Sequence, residues 1–218
     1  MSPVPEGSTS EAAFPAGFFD RDDESPDAGF YGSPRLVTHI DDGAVAAVGT
    51  VYAELVTGPR VLDFCSSWLS HFRTAPAQLT VLGMNAAELA ANATATDRVV
   101  RDLNVDPAFP FPDTAFDDAV CCVSVDYLTR PVTVLADLAR VVRPGGRVVF
   151  TWSDRCFPTK AVHGWLAADE ADRPGIVEAY LAAAGGWDPA ISRTVLPERR
   201  GPFAPDPLWA TWATRSVA

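Results

Sequence analysis

From about residue 40 the chain alternates short apolar runs with segments whose apolar positions recur at helical spacing. Val45, Val48, Tyr52, Leu55 and Val56 fall at i, i+3, i+7, i+10 and i+11, which is one face of a helix. Asp41 or Asp42 can cap that helix, and Gly58-Pro59 stops it. Five runs then read as buried strands: Arg60–Phe64, Leu79–Gly83, Arg98–Arg101, Ala119–Val125 and Arg147–Trp152. Helical segments are predicted from Trp68, over Ala86–Ala93, along the face of Leu135, Leu138, Ala139 and Val142, and over Ile176–Ala184, closed by Gly185-Gly186. Phe109-Pro110-Phe111-Pro112 reads as a loop, because proline cannot serve a central ladder. Ile191–Leu196 and Leu208–Thr214 have no helix-length insert between them, so an antiparallel pair is predicted.

Repeated strand–helix alternation implies a parallel sheet with helices on both faces, and the closing pair makes it mixed, with seven strands. In such sheets ligands bind beyond the carboxyl ends of the strands, at the topological switch point. Attention therefore falls on the loops after the first five strands.

The rest of the composition narrows the picture. With 218 residues, 48% of them hydrophobic, the chain suits one globular domain over residues 31–218. Residues 1–30 hold seven acids and one base amid Pro, Gly and Ser, and read as a flexible acidic arm, though Phe14, Phe18 and Phe19 give it something to dock with. The net charge of -11 lacks the basic footprint of a nucleic-acid binder. No apolar run is long enough to cross a membrane, and no basic, then apolar start suggests secretion, so a cytoplasmic protein is expected. Cys65, Cys121, Cys122 and Cys156 form no metal-binding spacing, and no metal is expected. Lys160 is the only lysine beside 16 arginines.

The strand ends read Asp63-Phe64-Cys65-Ser66-Ser67, Gly83-Met84-Asn85, Asp102-Leu103-Asn104, Ser124-Val125-Asp126-Tyr127 and Ser153-Asp154-Arg155. The order and spacing resemble the class I S-adenosylmethionine-dependent methyltransferases, in particular the small type 11 group, over roughly residues 31–215. The most specific stretch runs from Phe116-Asp117 to Arg143-Pro144-Gly145-Gly146, which resembles that family's strand, helix and R-V-L-K/R-P-G-G turn. The resemblance implies a Rossmann-like methyltransferase fold, S-adenosylmethionine as cofactor, and transfer of its methyl group to a small-molecule acceptor through oxygen or nitrogen. It implies that Asp63 holds the methionine end, with Cys65, Ser66, Ser67, Ser124, Val125 and Tyr127 near it. Met84 and Asn85 fall at the ribose, and Asp102, Leu103 and Asn104 at the adenine.

Two departures stand out. The family's glycines are replaced by Cys65, Ser67 and Leu69, and its ribose-binding acid by Asn85, which has one acceptor oxygen and no charge. Two readings follow: a variant cofactor site built on serines and an amide, or a degenerate site on a retained fold acting as a binding module. Methyl transfer relies on positioning and exclusion of water, so a strong acid–base pair is not required. Arg155 and Lys160 are candidates for holding an anionic acceptor, and His71 for a base, with His39 and His163 as further histidines. Tyr31-Gly32-Ser33-Pro34-Arg35 is predicted either to fold over the cofactor or to pack on the sheet edge. A monomer or homodimer is expected.

Overall fold

The computed structural model describes residues 10–198 and 204–217. Its centre is a seven-stranded sheet in the order β3-β2-β1-β4-β5-β7-β6. The strands are β1 (Arg60–Phe64), β2 (Gln78–Gly83), β3 (Asp97–Val100), β4 (Asp118–Cys122), β5 (Arg147–Trp152), β6 (Ile191–Val195) and β7 (Leu208–Thr214). The first five are parallel; β7 runs antiparallel to both β5 and β6. The expected mixed, seven-stranded Rossmann-like sheet is the observed one.

Successive side chains of a strand point to opposite faces, and both faces are covered here. Leu62 and Phe64 of β1, Cys121 of β4 and Val148 and Phe150 of β5 belong to one core cluster. Val61, Val120 and Val149, from the same strands, belong to the other. The first cluster packs under α4 (Pro131–Val141), the short α5 (His163–Leu166) and α6 (Arg173–Ala184), the second under α2 (Asp42–Leu55) and α3 (Ala86–Ala91). Asp41 caps α2 by accepting from the Ala44 N–H, and Pro131 occupies the first turn of α4, where its missing N–H costs nothing. Buried Asp118 accepts from the amides of Thr57, Gly58 and Arg147, tying the entries of β1 and β5 to the start of β4.

The structure corrects the sequence reading in three places. No helix forms from Trp68; residues 65–77 are an irregular connection from β1 to β2. The central strand ends at Cys122 rather than Val125, because Val123 takes a positive φ of 44° and a 3-10 turn follows over Val125–Tyr127. The acidic arm, expected to be flexible over residues 1–30, is docked from residue 10 onward; residues 1–9 lie outside the described residues.

That docking has clear partners. Phe14, Phe18 and Phe19 cluster with their ring centroids 5.3, 6.4 and 5.9 Å from Tyr180 of α6. Phe18 occupies the space a side chain at Gly164 would need: a Cβ there would lie 2.3 Å from its ring. Glu11 accepts from the backbone N–H and the hydroxyl of Thr133 on α4. Arg21 and Asp27 are both buried and paired at 2.8 Å. The short helix α1 (Asp27–Phe30) then leads residues 31–40 across the strand tips.

Candidate functional site at the strand tips

A cavity of about 370 Å³ opens beyond the carboxyl ends of β1, β2, β3, β4 and β5, within the size range of small-molecule sites. Of the residues expected to hold a cofactor, Asp63, Cys65, Ser66, Ser67, Met84, Asn85, Asp102, Leu103, Asn104, Ser124 and Tyr127 line it. Val125 does not. It is 1% exposed and packed in the core, since the 3-10 turn after β4 rotates it inward.

Asp63 sits at the cavity floor. Its carboxylate accepts from Ser66 Oγ at 2.9 Å and Ser70 Oγ at 2.6 Å. Burial lifts its pKa to about 6, although the two serines pull the other way. Ser70 also accepts from Asn92, so the loop after β1 is braced against the end of α3.

The glycine-poor loop has a compensation on the neighbouring strand. Cys65 adopts φ +54°, a left-handed conformation that costs a residue bearing Cβ roughly 1–2 kcal/mol. At Gly83, the last residue of β2, a Cβ would lie 2.1 Å from the carbonyl oxygen of Ser66. The bare backbone of Gly83 therefore admits the loop, and the Ser66 N–H closes on the Leu82 carbonyl at 2.8 Å.

Asn85 caps α3. Its side-chain oxygen accepts from Ala87 N–H and Glu88 N–H, while its amide donates to the carbonyls of Tyr31 and Gly32. Its oxygen is thus engaged in the helix cap and its amide in placing residues 31–32 over the cleft. The acid nearest in sequence is Glu88, which also lines the cavity. It accepts from Ser67 Oγ at 2.5 Å and from the Arg35 N–H at 2.7 Å. The sequence reading missed it, although Asn85-x-x-Glu88 is the spacing of a helix cap with an acid at its third position.

Residues 31–40 cross the cavity mouth rather than packing on the sheet edge. Tyr31, Arg35, Val37, Thr38, His39 and Ile40 all line it. The Tyr31 hydroxyl is buried, with no hydrogen-bond partner among the described residues. The His39 and Phe157 rings meet edge to face at 5.3 Å. Burial lowers the His39 pKa and Arg35 adds to this, with Glu88 opposing.

The three expected catalytic side chains separate. Lys160 is fully buried outside the cavity. Its ammonium lies 3.1 Å from both Asp23 and Asp27 and donates to the carbonyls of Asp23 and Ser25. Its ammonium is enclosed among acceptors of the docked N-terminal segment, so it is a tether rather than a substrate contact. Arg155 lines the cavity but is paired with Asp206 at 2.9 Å. His71 lines the cavity near Asp63, and burial lowers its pKa. His163 lies outside the cavity and meets Asp22 at 2.9 Å. Asn104 lines the cavity, yet its side chain is occupied: it donates to Asp27 and the Tyr127 carbonyl and accepts from the Thr129 N–H. Asp102 holds an Asx turn by accepting from Asn104 N–H and Val105 N–H. Cys156 lines the cavity with its pKa raised by burial, which does not suit a nucleophilic thiolate. Among the described residues no cluster of His, Cys, Asp and Glu could hold a metal ion, and no helix is long and apolar enough to cross a membrane.

Residues 64–150 match the family model described as a methyltransferase domain. No curated protein matches the chain. Among solved structures, a methyltransferase dependent on S-adenosylmethionine from Thermotoga maritima is similar at a TM-score of 0.59 and 12% identity, covering 79% of this chain and 89% of that one. A methyltransferase from Aquifex aeolicus gives a TM-score of 0.55 at 13% identity, with 79% and 91% covered. The cyclase SpnF gives 0.58 at 19% identity, with 88% and 92% covered. At these identities the likeness is one of fold.

Proposed function

We propose that the chain is a class I S-adenosylmethionine-dependent methyltransferase that moves a methyl group to a small-molecule acceptor, a reading supported by the match of residues 64–150 to a methyltransferase domain. The observation that carries this reading is a single cavity at the tips of five parallel strands, joining buried Asp63 to the segment 31–40. The site suits the cofactor on two grounds. Gly83 lets the loop 65–67 of the cavity lining pass close to β2, and the buried hydroxyl of the lining residue Tyr31 lacks a protein partner among the described residues.

In this reading Asp63, with Ser66 beside it, holds the ammonium end of S-adenosylmethionine. Met84, Asp102 and Leu103 enclose the nucleoside, and Glu88 stands by the ribose in place of Asn85. Bound there, the cofactor supplies a methyl carbon activated by its sulfonium. Tyr31, Tyr127 and Phe157 exclude water above it, which strengthens the positioning on which the displacement depends. The acceptor enters on the β4–β5 side, beneath His39. There the neutral imidazole takes the proton that an acceptor hydroxyl or amine gives up.

Isothermal titration with S-adenosylmethionine and S-adenosylhomocysteine tests this. Micromolar binding, weakened at least tenfold in Asp63→Ala, is expected; wild-type protein that binds neither refutes it. A second reading, a degenerate cofactor site on a retained fold acting as a binding module, draws on Asn85, whose polar groups are all engaged with protein. It predicts that neither S-adenosylmethionine nor S-adenosylhomocysteine binds.

A further inference from the structure

Three guanidinium groups line the cavity, and two are neutralised by carboxylates. Arg101 pairs with Asp106 at 2.5 Å and Arg155 with Asp206 at 2.9 Å. The Arg35 guanidinium is held differently. One nitrogen donates to the Phe30 carbonyl at 2.9 Å, and its carbon lies 4.6 Å from the Phe30 ring centroid, 5.9 Å from that of Tyr31 and 5.4 Å from that of Phe157. Among the described residues its side chain makes no ion pair. The backbone N–H of Arg35 is fixed separately on Glu88.

A guanidinium carries five N–H donors in a planar fork, and stacking on rings fixes the plane without using the donors. At Arg35 one donor is used within the protein. The three rings surround the group without accepting from its remaining N–H donors in a conventional hydrogen bond. Tyr31 and Phe157 line the cavity, whose apolar residues also include Val37, Ile40, Trp68 and Leu69. An unneutralised cation in such surroundings favours an anion with a flat apolar body, because the pairing is charge-assisted and bidentate while the walls desolvate the remainder.

We propose that Arg35 is the specificity determinant of the acceptor subsite and that the acceptor is a small carboxylate on an apolar, ring-like body, its carboxylate held by the Arg35 fork. This rests on reading the cavity as a methyl-transfer site and names the class of molecule entering beneath His39. Sequence had placed this role on Arg155 and Lys160, and both are occupied by acids of the protein itself.

Benzoate and benzamide are matched in shape and differ in charge, so they serve as probes. Their binding is followed by saturation-transfer NMR and titration, with and without S-adenosylhomocysteine. Benzoate is expected to bind at least tenfold more tightly than benzamide to wild-type protein. Arg35→Gln should abolish that preference, and Arg35→Lys should retain part of it, since the charge stays and the fork is lost. Thermal melts establish that both variants fold, and S-adenosylhomocysteine affinity should not change in either. Equal binding of the two probes, no binding of either, a preference for benzylamine, or a benzoate preference that survives Arg35→Gln overturns the proposal. Failure of wild-type protein to bind S-adenosylhomocysteine overturns the methyl-transfer reading instead, since the benzoate comparison is also made without it.

Discussion

The ammonium of Lys160 lies 3.1 Å from Oδ1 of Asp27, and both side chains are buried. Asp27 also accepts from Arg21 and from Asn104. Burial pushes the Asp27 pKa up, but the bonds from Asn104, Arg21 and Lys160 outweigh it and hold it below the usual carboxylate range. One acid thus joins the N-terminal segment, the loop after β3 and the segment after β5, and sets where residues 31–40 begin to cross the cavity.

Lys160→Met is expected to destabilise the protein by about 3 kcal/mol, since it leaves a buried carboxylate short of one partner. Urea denaturation checks the size, and a double-mutant cycle with Asp27→Asn should show strong coupling. The variant should also expose Arg35 to trypsin sooner than the wild type. Additive effects of the two substitutions would show that the pair does not hold the segment.

Burial raises the Asp63 pKa to about 6. Below that pH it is largely protonated, and a ligand ammonium beside it favours the charged form. Cofactor binding near pH 5 should therefore release close to one proton, and affinity should fall as pH drops below 6. Calorimetry in two buffers of different ionisation enthalpy measures the release. Asp63→Asn should abolish both effects.

Asp126 is buried in the turn after β4, with one carboxylate oxygen lacking a hydrogen bond. Burial raises its pKa to about 7, despite Arg173 nearby. Its folded pKa exceeds the unfolded value, so the native state binds the extra proton between about pH 4 and 7. Stability from this group is fully present at the acid end and declines as pH rises through 7. Asp126→Asn should then stabilise the protein at pH 8 by on the order of 2 kcal/mol and have little effect at pH 4. Thermal melts across that range decide it.

Gly83→Ala should displace the loop after β1, because a Cβ there would meet the Ser66 carbonyl oxygen at 2.1 Å. A loss of roughly 1–3 kcal/mol and a marked drop in S-adenosylhomocysteine affinity are expected. Cys65→Gly should be tolerated or slightly stabilising, since φ +54° suits glycine; its gain is limited to about 1 kcal/mol by the greater freedom of the unfolded chain. Melting and titration of the two variants side by side distinguish them.

The strands, the helices over α2, α3, α4 and α6, and the antiparallel closing pair were legible in the chain itself. Their apolar residues repeat at spacings of two or of about 3.6, and turns such as Pro144-Gly145-Gly146 and Gly185-Gly186 end them by local chemistry. The strand-end rule likewise brought Asp63, Asp102 and Ser124 to one cavity before any coordinates. Tertiary structure decided the rest. Whether Lys160 faced substrate or protein depended on Asp23 and Asp27, more than 130 residues away in sequence, and whether Arg35 kept a bare charge depended on which acids reached it. Phe14, Phe18 and Phe19 read as part of a disordered arm because no local partner buries them; Tyr180 does so only once α6 is packed on the sheet. Periodicity is a property of neighbours along the chain, whereas charge compensation and docking are properties of neighbours in space.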